Sequence, residues 1–382
     1  MASTKHIIVF LLITTFSSSI FPCFVDASHT PAAIRGGYWP TWTSSYPPSS
    51  IDLSFFTHVY YAFVQVDPST FHLALTASDN LTLRSFVAAA HSRCPPVKAM
   101  LSIGGAGGNA SATFAALAAN FSARSAFIMS TIAVAREYGL DGLDLDWEYP
   151  MSPKEMAEFA GLCTEWRIAV AREAAGCPSR PALLLSSAVY FSSTYVSGNL
   201  TSPYPVAEMA AAFDWINVMA YDLHGAWDAS ATGAHAALYD PKSDLSASYG
   251  VTSWLAAGMP AQKVVIGMPL YGRTYNLTDS KNNTIGAPAN GVGPGEGGVL
   301  LYSKVVEFNR NNSATVVHDE ATATAYSYAG TTWISYDDPW SVTRKTEYGR
   351  QLGLGGYFFW AIGGDKDWSI SETAWSAWRC TC

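Results

Sequence analysis

Short apolar runs rich in β-branched and aromatic residues alternate with stretches of helical spacing from residue 34 to residue 269. Strands are expected at 34–39, 55–66, 97–103, 141–148, 183–189, 215–221 and 264–269, with one more at 356–360. Helical patterning fills 81–91, 112–138 and 153–175, and returns at 339–353 and 371–378. Gly139 is suited to follow a helix C-terminus, Ser152 and Asp338 are placed as N-caps, and Pro153 and Pro339 open helices. Parallel strands need crossover helices, so this order predicts an α/β protein with a parallel sheet and helices outside it. The number of units predicts a closed TIM (β/α)8 barrel. Between residues 271 and 337 the alternation stops. That stretch is too long for a strand-to-helix loop and lacks a sustained crossover helix. It holds a Gly/Pro-rich segment at 286–298, a short helix at 302–308 and a hairpin turning at Ala329-Gly330. A small α+β insertion is therefore expected after the seventh strand, over residues 270–338.

Length alone, 382 residues, permits one large barrel or two ordinary domains, and no repeat, low-complexity tract or linker divides the chain. Residues 1–27 read as a secretory signal peptide: Lys5 and His6, an apolar run over 7–16, then small residues before Ala27-Ser28. One domain is expected from 28 to 382. Beyond the leader no run reaches the roughly 18 apolar residues of a membrane span, so no membrane partner is expected. Charged residues are 14% and the net charge is −8, which argues against a basic surface that tracks nucleic-acid phosphates. Seven Asn-x-Ser/Thr acceptors, at Asn80, Asn109, Asn120, Asn199, Asn276, Asn282 and Asn311, fit an extracellular route. Once Cys23 leaves with the leader, Cys94, Cys163, Cys177, Cys380 and Cys382 remain, too few in so long a chain to replace a core. Cys163 and Cys177 fall about 21 Å apart along and just past one helix, beyond bridging distance. No Cys/His cluster has zinc-ligand spacing, and no metal is expected. The glycine run at 104–108 lacks both phosphate-cradling patterns, so it reads as a sharp turn that opens backbone to a pocket.

The fourth strand is Asp141-Gly-Leu-Asp144-Leu-Asp146-Trp-Glu148. Side chains alternate along a strand, so Asp144, Asp146 and Glu148 share one face about 6 to 7 Å apart, and Leu143, Leu145 and Trp147 take the other. Acids so close resist joint ionisation, which raises at least one pKa and prepares a carboxylic acid to donate a proton. If the face lines a pocket, the arrangement is catalytic; the alternative is a solvated face of an edge strand. Neighbouring strand ends supply Tyr38, Phe63, Gly104, Gly105, Met219, Tyr221, Asp222 and Trp360. Aromatic rings around acids suit a sugar, whose rings have apolar C–H faces and polar edges. The 13 Trp and 20 Tyr are equally compatible with aromatic filling of a large core.

Asp141-x-x-Asp144-x-Asp146-x-Glu148 resembles the DxxDxDxE signature of family 18 glycoside hydrolases. Ser102-Ile103-Gly104-Gly105, Met219-Ala220-Tyr221-Asp222 and Trp360 resemble further family motifs, and Pro269-Leu270-Tyr271-Gly272-Arg273 is most like plant class V chitinases. The resemblance implies hydrolysis of β-1,4-linked N-acetylglucosamine with retention, the substrate's own 2-acetamido oxygen serving as nucleophile. It implies Glu148 as general acid, Asp146 orienting and stabilising the oxazolinium, Asp144 beneath it, and Tyr221 donating to the acetamido oxygen. Tyr38, Phe63, Gly105, Met219, Asp222, Arg273 and Trp360 are implied as the substrate-binding surface, with Trp360 the floor under the distorted ring. Asp141 has the opposite parity and is expected to be structural. No cofactor is implied. The expected partners are chitin or N-acetylglucosamine oligosaccharides, the expected state a monomer, and the expected location outside the cell, in the wall or in the vacuole. Two other functions share the resemblance: an oligosaccharide-binding lectin, and a hydrolase of lipo-chitooligosaccharide signals.

Overall fold

The computed structural model describes residues 33–42 and 46–379. Eight strands form a barrel: Ile34–Pro40, His58–Val66, Lys98–Gly104, Gly142–Asp146, Leu184–Val189, Trp215–Val218, Val264–Pro269 and Gly356–Trp360. Each pairs in parallel with the next, and the first pairs with both the second and the eighth, which closes the ring. The expected α/β barrel is the fold. The expected signal peptide, Cys23, Cys380 and Cys382 lie outside the described residues; Cys163 and Cys177 are free thiols.

Strand alternation sorts the side chains into two cores. Leu143 and Leu145 pack outward among Phe127, Trp166 and Ile216, between barrel and helices. Tyr38, Tyr60, Met100, Trp215, Val265 and Phe358 fill the barrel interior. Each fully buried aliphatic side chain contributes roughly 1.5–3 kcal/mol, so the outward leucines fix which face of the fourth strand its acids occupy.

Two local readings are corrected. The helix expected over 112–138 is two helices, Ala110–Ala118 and Phe121–Tyr138, bent by 116° at the joint. Apolar spacing runs on across the break, but Asn120 is extended there, and its side chain accepts from Ala123 N–H at 3.1 Å and restarts the helix. The acidic strand ends at Asp146, so Glu148 lies two residues beyond it. A hairpin of Thr194–Ser197 and Leu200–Pro203 also forms over a stretch without a clear strand signal.

The insertion follows the seventh strand at once. Tyr271–Leu277 pairs antiparallel with Ala289–Val292, Val299–Leu301 and Thr332–Tyr336. The expected hairpin is present as Thr324–Ala329 and Thr332–Tyr336, and Thr315–Asp319 extends the sheet. Tyr275, Leu277, Tyr326 and Trp333 form its own small core. The expected short helix runs from Tyr302 to Asn311. At the exit, Asp337 accepts from Lys345 Nζ at 2.6 Å and from Ser341 Oγ at 2.8 Å, fastening the insertion to the helix Pro339–Gln351.

Candidate active site

Asp144 is fully buried inside the barrel. Ser102, Asp144 and Ser186 are register partners on three adjacent strands, which turns both serines toward the carboxylate. Ser186 Oγ donates to Oδ1 at 2.6 Å; Ser102 Oγ and Tyr38 Oη donate to Oδ2 at 2.7 and 2.9 Å. Burial pushes the Asp144 pKa up, and these hydroxyls pull it part of the way back. Asp144 therefore lies beneath the cleft and does not line it, so the three expected acids are arranged in depth.

The cleft itself, about 390 Å³, opens at the strand C-termini. Tyr38, Trp42, Phe63, Gln65, Gly104, Ala106, Asp146, Glu148, Tyr149, Met219, Tyr221, Asp222 and Trp360 are among the residues around it. Asp146 is buried and its Oδ1 has no hydrogen-bond partner. Burial, then the charges of Glu148 and Asp144, raise its pKa well above the ordinary carboxylate value. Burial also raises Glu148, to about 7; the Asp222 charge adds to that, and bonds from Tyr149 and the Ala106 backbone oppose it. Both shifts favour the protonated carboxyl, and at about 7 Glu148 keeps its proton into the neutral range, the state a general acid needs.

Backbone shape brings the third and fourth strands together at this point. Gly104 has φ of 111°, and a Cβ on it would lie 2.3 Å from the Asp146 carbonyl oxygen. Gly105 N–H donates to that same oxygen at 2.9 Å. A Cβ on Gly105 would meet the Phe63 ring at 2.4 Å, so Gly105 backs the aromatic wall and does not itself line the cleft. Phe63 stacks on Trp360 at 5.4 Å and 21°, Tyr38 meets Trp360 edge-on at 5.7 Å, and Trp42 leans on Trp360 at 6.2 Å. Trp360 is thereby held on three sides with part of its ring open to solvent.

Tyr221 is held protonated, first by burial and then by the charges of Asp146 and Glu148. Arg273 clamps Asp222 through Nε to Oδ1 at 2.8 Å and Nη2 to Oδ2 at 2.7 Å. Burial alone would raise Asp222, but the nearby His235 ring and the Arg273 bonds outweigh it and hold the carboxyl far below its usual range. Arg273 borders a second cleft of about 360 Å³, which adjoins the first across Trp42, Asp222 and Trp360 and continues past Tyr46, Val299, Leu301 and Ile362. Asp141 is at the other end of the strand, bonded to Lys98 Nζ at 2.8 Å, His91 Nε2 at 2.7 Å and the Ala99 N–H at 2.9 Å, a structural anchor as its parity implies. Among the described residues no group of three or more His, Cys, Asp or Glu side chains is placed to hold a metal ion.

Residues 35–365 match the glycosyl hydrolases family 18 profile, a span that takes in nearly all of the barrel and the whole insertion. The chain belongs to glycosyl hydrolase family 18. This family 18 hydrolase is 46% identical to a class V chitinase of Lotus japonicus over 90% of its length and 86% of the relative's. It is 45% identical to Nod factor hydrolase protein 1 of Medicago truncatula, covering 91% of this chain and 90% of that one. Its structure superposes on a family 18 chitinase of Cycas revoluta solved with (GlcNAc)3, with a TM-score of 0.87, 42% identity, and coverage of 91% and 100%. It also superposes on a chitinase-like agglutinin of Robinia pseudoacacia, with a TM-score of 0.82, 40% identity, and coverage of 90% and 99%.

Several residues around the family 18 site escaped the sequence reading. Trp42 lies two residues past the first strand, and Gln65, Ala106 and Tyr149 lie beside residues already chosen. Ser186 carried a usable signal, since parity places it inward at the level of Asp144 once the two strands are known to pair. Asn217 Nδ2 donates to Tyr38 Oη at 2.8 Å, a contact 179 residues apart that no local pattern announces.

Proposed function

We propose that this family 18 hydrolase cleaves β-1,4 bonds between N-acetylglucosamine units of chitin or its oligomers, with retention, using the substrate's acetamido group as nucleophile. The observation that carries the reading is the Asp146–Glu148 pair in an aromatic-walled cleft: both carboxyls are raised above their ordinary range, Asp146 is buried with Oδ1 unpartnered, and the other carboxylate at the cleft, Asp222, is clamped by Arg273. Glu148 donates its proton to the leaving glycosidic oxygen while the acetamido oxygen attacks the anomeric carbon and the C–O bond breaks. The resulting oxazolinium carries positive charge, and the Asp146 Oδ1, free of protein partners, is available to its N–H. Tyr221 donates to the acetamido oxygen, aligning it for attack. Glu148, now ionised, takes a proton from water as that water opens the oxazolinium from the leaving-group face. Trp360 supplies the apolar platform, and Asp144, beneath the cleft, bears on Asp146 through its charge without touching sugar.

Incubation with an N-acetylglucosamine hexamer, with the products resolved by size and anomer, tests this. New reducing ends in the β form are expected. Binding without cleavage would instead support a lectin, as the name of the Robinia neighbour suggests for that protein. A second substrate reading has its own support. The adjoining cleft is lined by Pro40, Val299, Leu301 and Ile362, an apolar surface suited to an acyl substituent, and the Medicago relative is named a Nod factor hydrolase. Faster cleavage of acylated than of plain oligomers would favour it. Secretion is part of the proposal, supported by the leader-like residues 1–27 and by the exposure of all seven acceptor asparagines. Release of cleaved, glycosylated protein from a secreting host would establish it.

A further inference from the structure

His235 lies behind the cleft wall, fully buried, and neither ring nitrogen has a hydrogen-bond partner. Unpaired buried polar atoms are costly, so such a ring calls for a reason. Its Nδ1 points to Asp222 Oδ1 at 3.5 Å. Its backbone is fixed at both ends of the amide unit: the carbonyl accepts from Leu223 N–H at 2.9 Å and the N–H donates to Ser335 Oγ at 3.2 Å. Asp222 has φ of 56°, a left-handed conformation that costs a non-glycine residue on the order of 1 kcal/mol or more and persists only where its surroundings enforce it. Arg273 supplies two of the enforcing bonds.

We propose that His235 is a positioning residue: its Nδ1–H holds the Asp222 carboxylate toward Glu148, so the charge facing the acid is set from behind the wall. The inference rests on the reading of Glu148 as the acid. A carboxylate can only accept, so the proton must be on Nδ1, which fixes the tautomer. The charged and titratable groups around the ring are Asp222, Arg273, Tyr271 and Asp337, the last paired with Lys345. Burial depresses the ring's proton affinity more than the neighbouring Asp222 and Asp337 carboxylates restore it, which favours the neutral imidazole. The separation of 3.5 Å is longer than an ordinary N–H···O bond, and contacts of this kind in substrate-free sites tighten when substrate arrives.

The test compares wild type, His235→Phe, His235→Asn and His235→Gln by melting temperature and by the pH profiles of kcat and kcat/KM on the hexamer. Phe keeps the ring and loses the donor. Asp222 is then left to Arg273 alone, its charge bears less on Glu148, and the alkaline limb is expected to move to lower pH. The rate kcat should fall about tenfold, a fraction of the roughly 10²–10⁴-fold that a placed acid contributes, with KM changing far less. Asn returns an N–H at the Nδ1 position and is expected to restore the limb; Gln places its amide at the Nε2 position and is not. A Phe variant with native melting and a superimposable pH profile would overturn the proposal. If Phe does not fold, the Asn–Gln pair decides: a displaced limb in Gln but not Asn supports it, and identical profiles overturn it. Cleavage by wild type separates the two layers, since a wild-type protein that never cleaves removes the acid and this inference together.

Discussion

Tyr38 and Asp144 meet across the barrel interior: the phenol of the first strand donates to the carboxylate of the fourth at 2.9 Å while accepting from Asn217 at 2.8 Å. The tyrosine also stacks on Tyr60 at 4.3 Å and 9°. Tyr38→Phe keeps the stack and removes both hydrogen bonds, leaving Asn217 and one Asp144 oxygen short of a partner. We expect destabilisation of about 1–3 kcal/mol by chemical denaturation, with kcat reduced and KM nearly unchanged.

Protonation at Glu148 couples to folding. Its folded pKa, about 7, lies above its value of 4.5 in an unfolded chain. A raised pKa stabilises the fold fully below the unfolded value and loses that contribution as pH rises through the folded one. Glu148→Gln carries no such dependence. It should melt above wild type at pH 8, by an amount on the order of 1–3 kcal/mol, and the gap should close near pH 4.5. Thermal melts of both proteins across that range check the sign; a gap that widens in acid would contradict the burial of the acid.

Much of this was legible in the sequence because the relevant physics is periodic. Period two in the fourth strand put Leu143 and Leu145 outward and Asp144 and Asp146 inward, and caps such as Ser152 and Asp338 are local chemistry. Three features lay beyond that reach. The break at Asn120 is invisible to apolar spacing, which runs across it. Depth within the barrel, which separates Asp144 from Asp146 and Glu148, depends on which strands are neighbours. His235 belongs to an irregular stretch, and its neighbour Asp222 is brought beside it by a left-handed backbone conformation and by Arg273 of the insertion, none of which a local pattern announces.

Trp360 and Trp42 should separate binding from catalysis. Trp360 is packed against Phe63 and Tyr38, whereas Trp42 leans on both Trp360 and Phe63 from outside and is 62% exposed. Trp360→Ala is expected to lower kcat/KM at least tenfold, about 1.4 kcal/mol or more, on every oligomer length. Trp42→Ala should raise KM for long oligomers and leave the shortest substrates unaffected. Steady-state kinetics over a length series measures both.

Lys345 and Asp337 form an ion pair with essentially no exposure, and Lys345 Nζ reaches Oδ1 at 2.6 Å. Lys345→Met leaves a buried carboxylate without its cation and should cost about 3–5 kcal/mol. Adding Asp337→Leu removes the orphaned charge, and much of the loss should return. Denaturant midpoints of the single and double variants test the coupling.

Gly104 admits no side chain. A Cβ there would come within 2.3 Å of the Asp146 carbonyl at a φ of 111°. Gly104→Ala should therefore separate the third and fourth strands at the cleft, with a stability loss of about 1–3 kcal/mol and a larger proportional loss of activity. Circular-dichroism melts beside hexamer assays would show both.

The most direct measurement follows the first product of hexamer cleavage by proton NMR, in wild type and in Glu148→Gln at equal concentration. A wild-type reducing end that appears in the β form before mutarotation, together with no detectable turnover by Glu148→Gln despite retained oligosaccharide binding, is the predicted result. An initial α product, or turnover by the variant at the wild-type rate, would contradict the account.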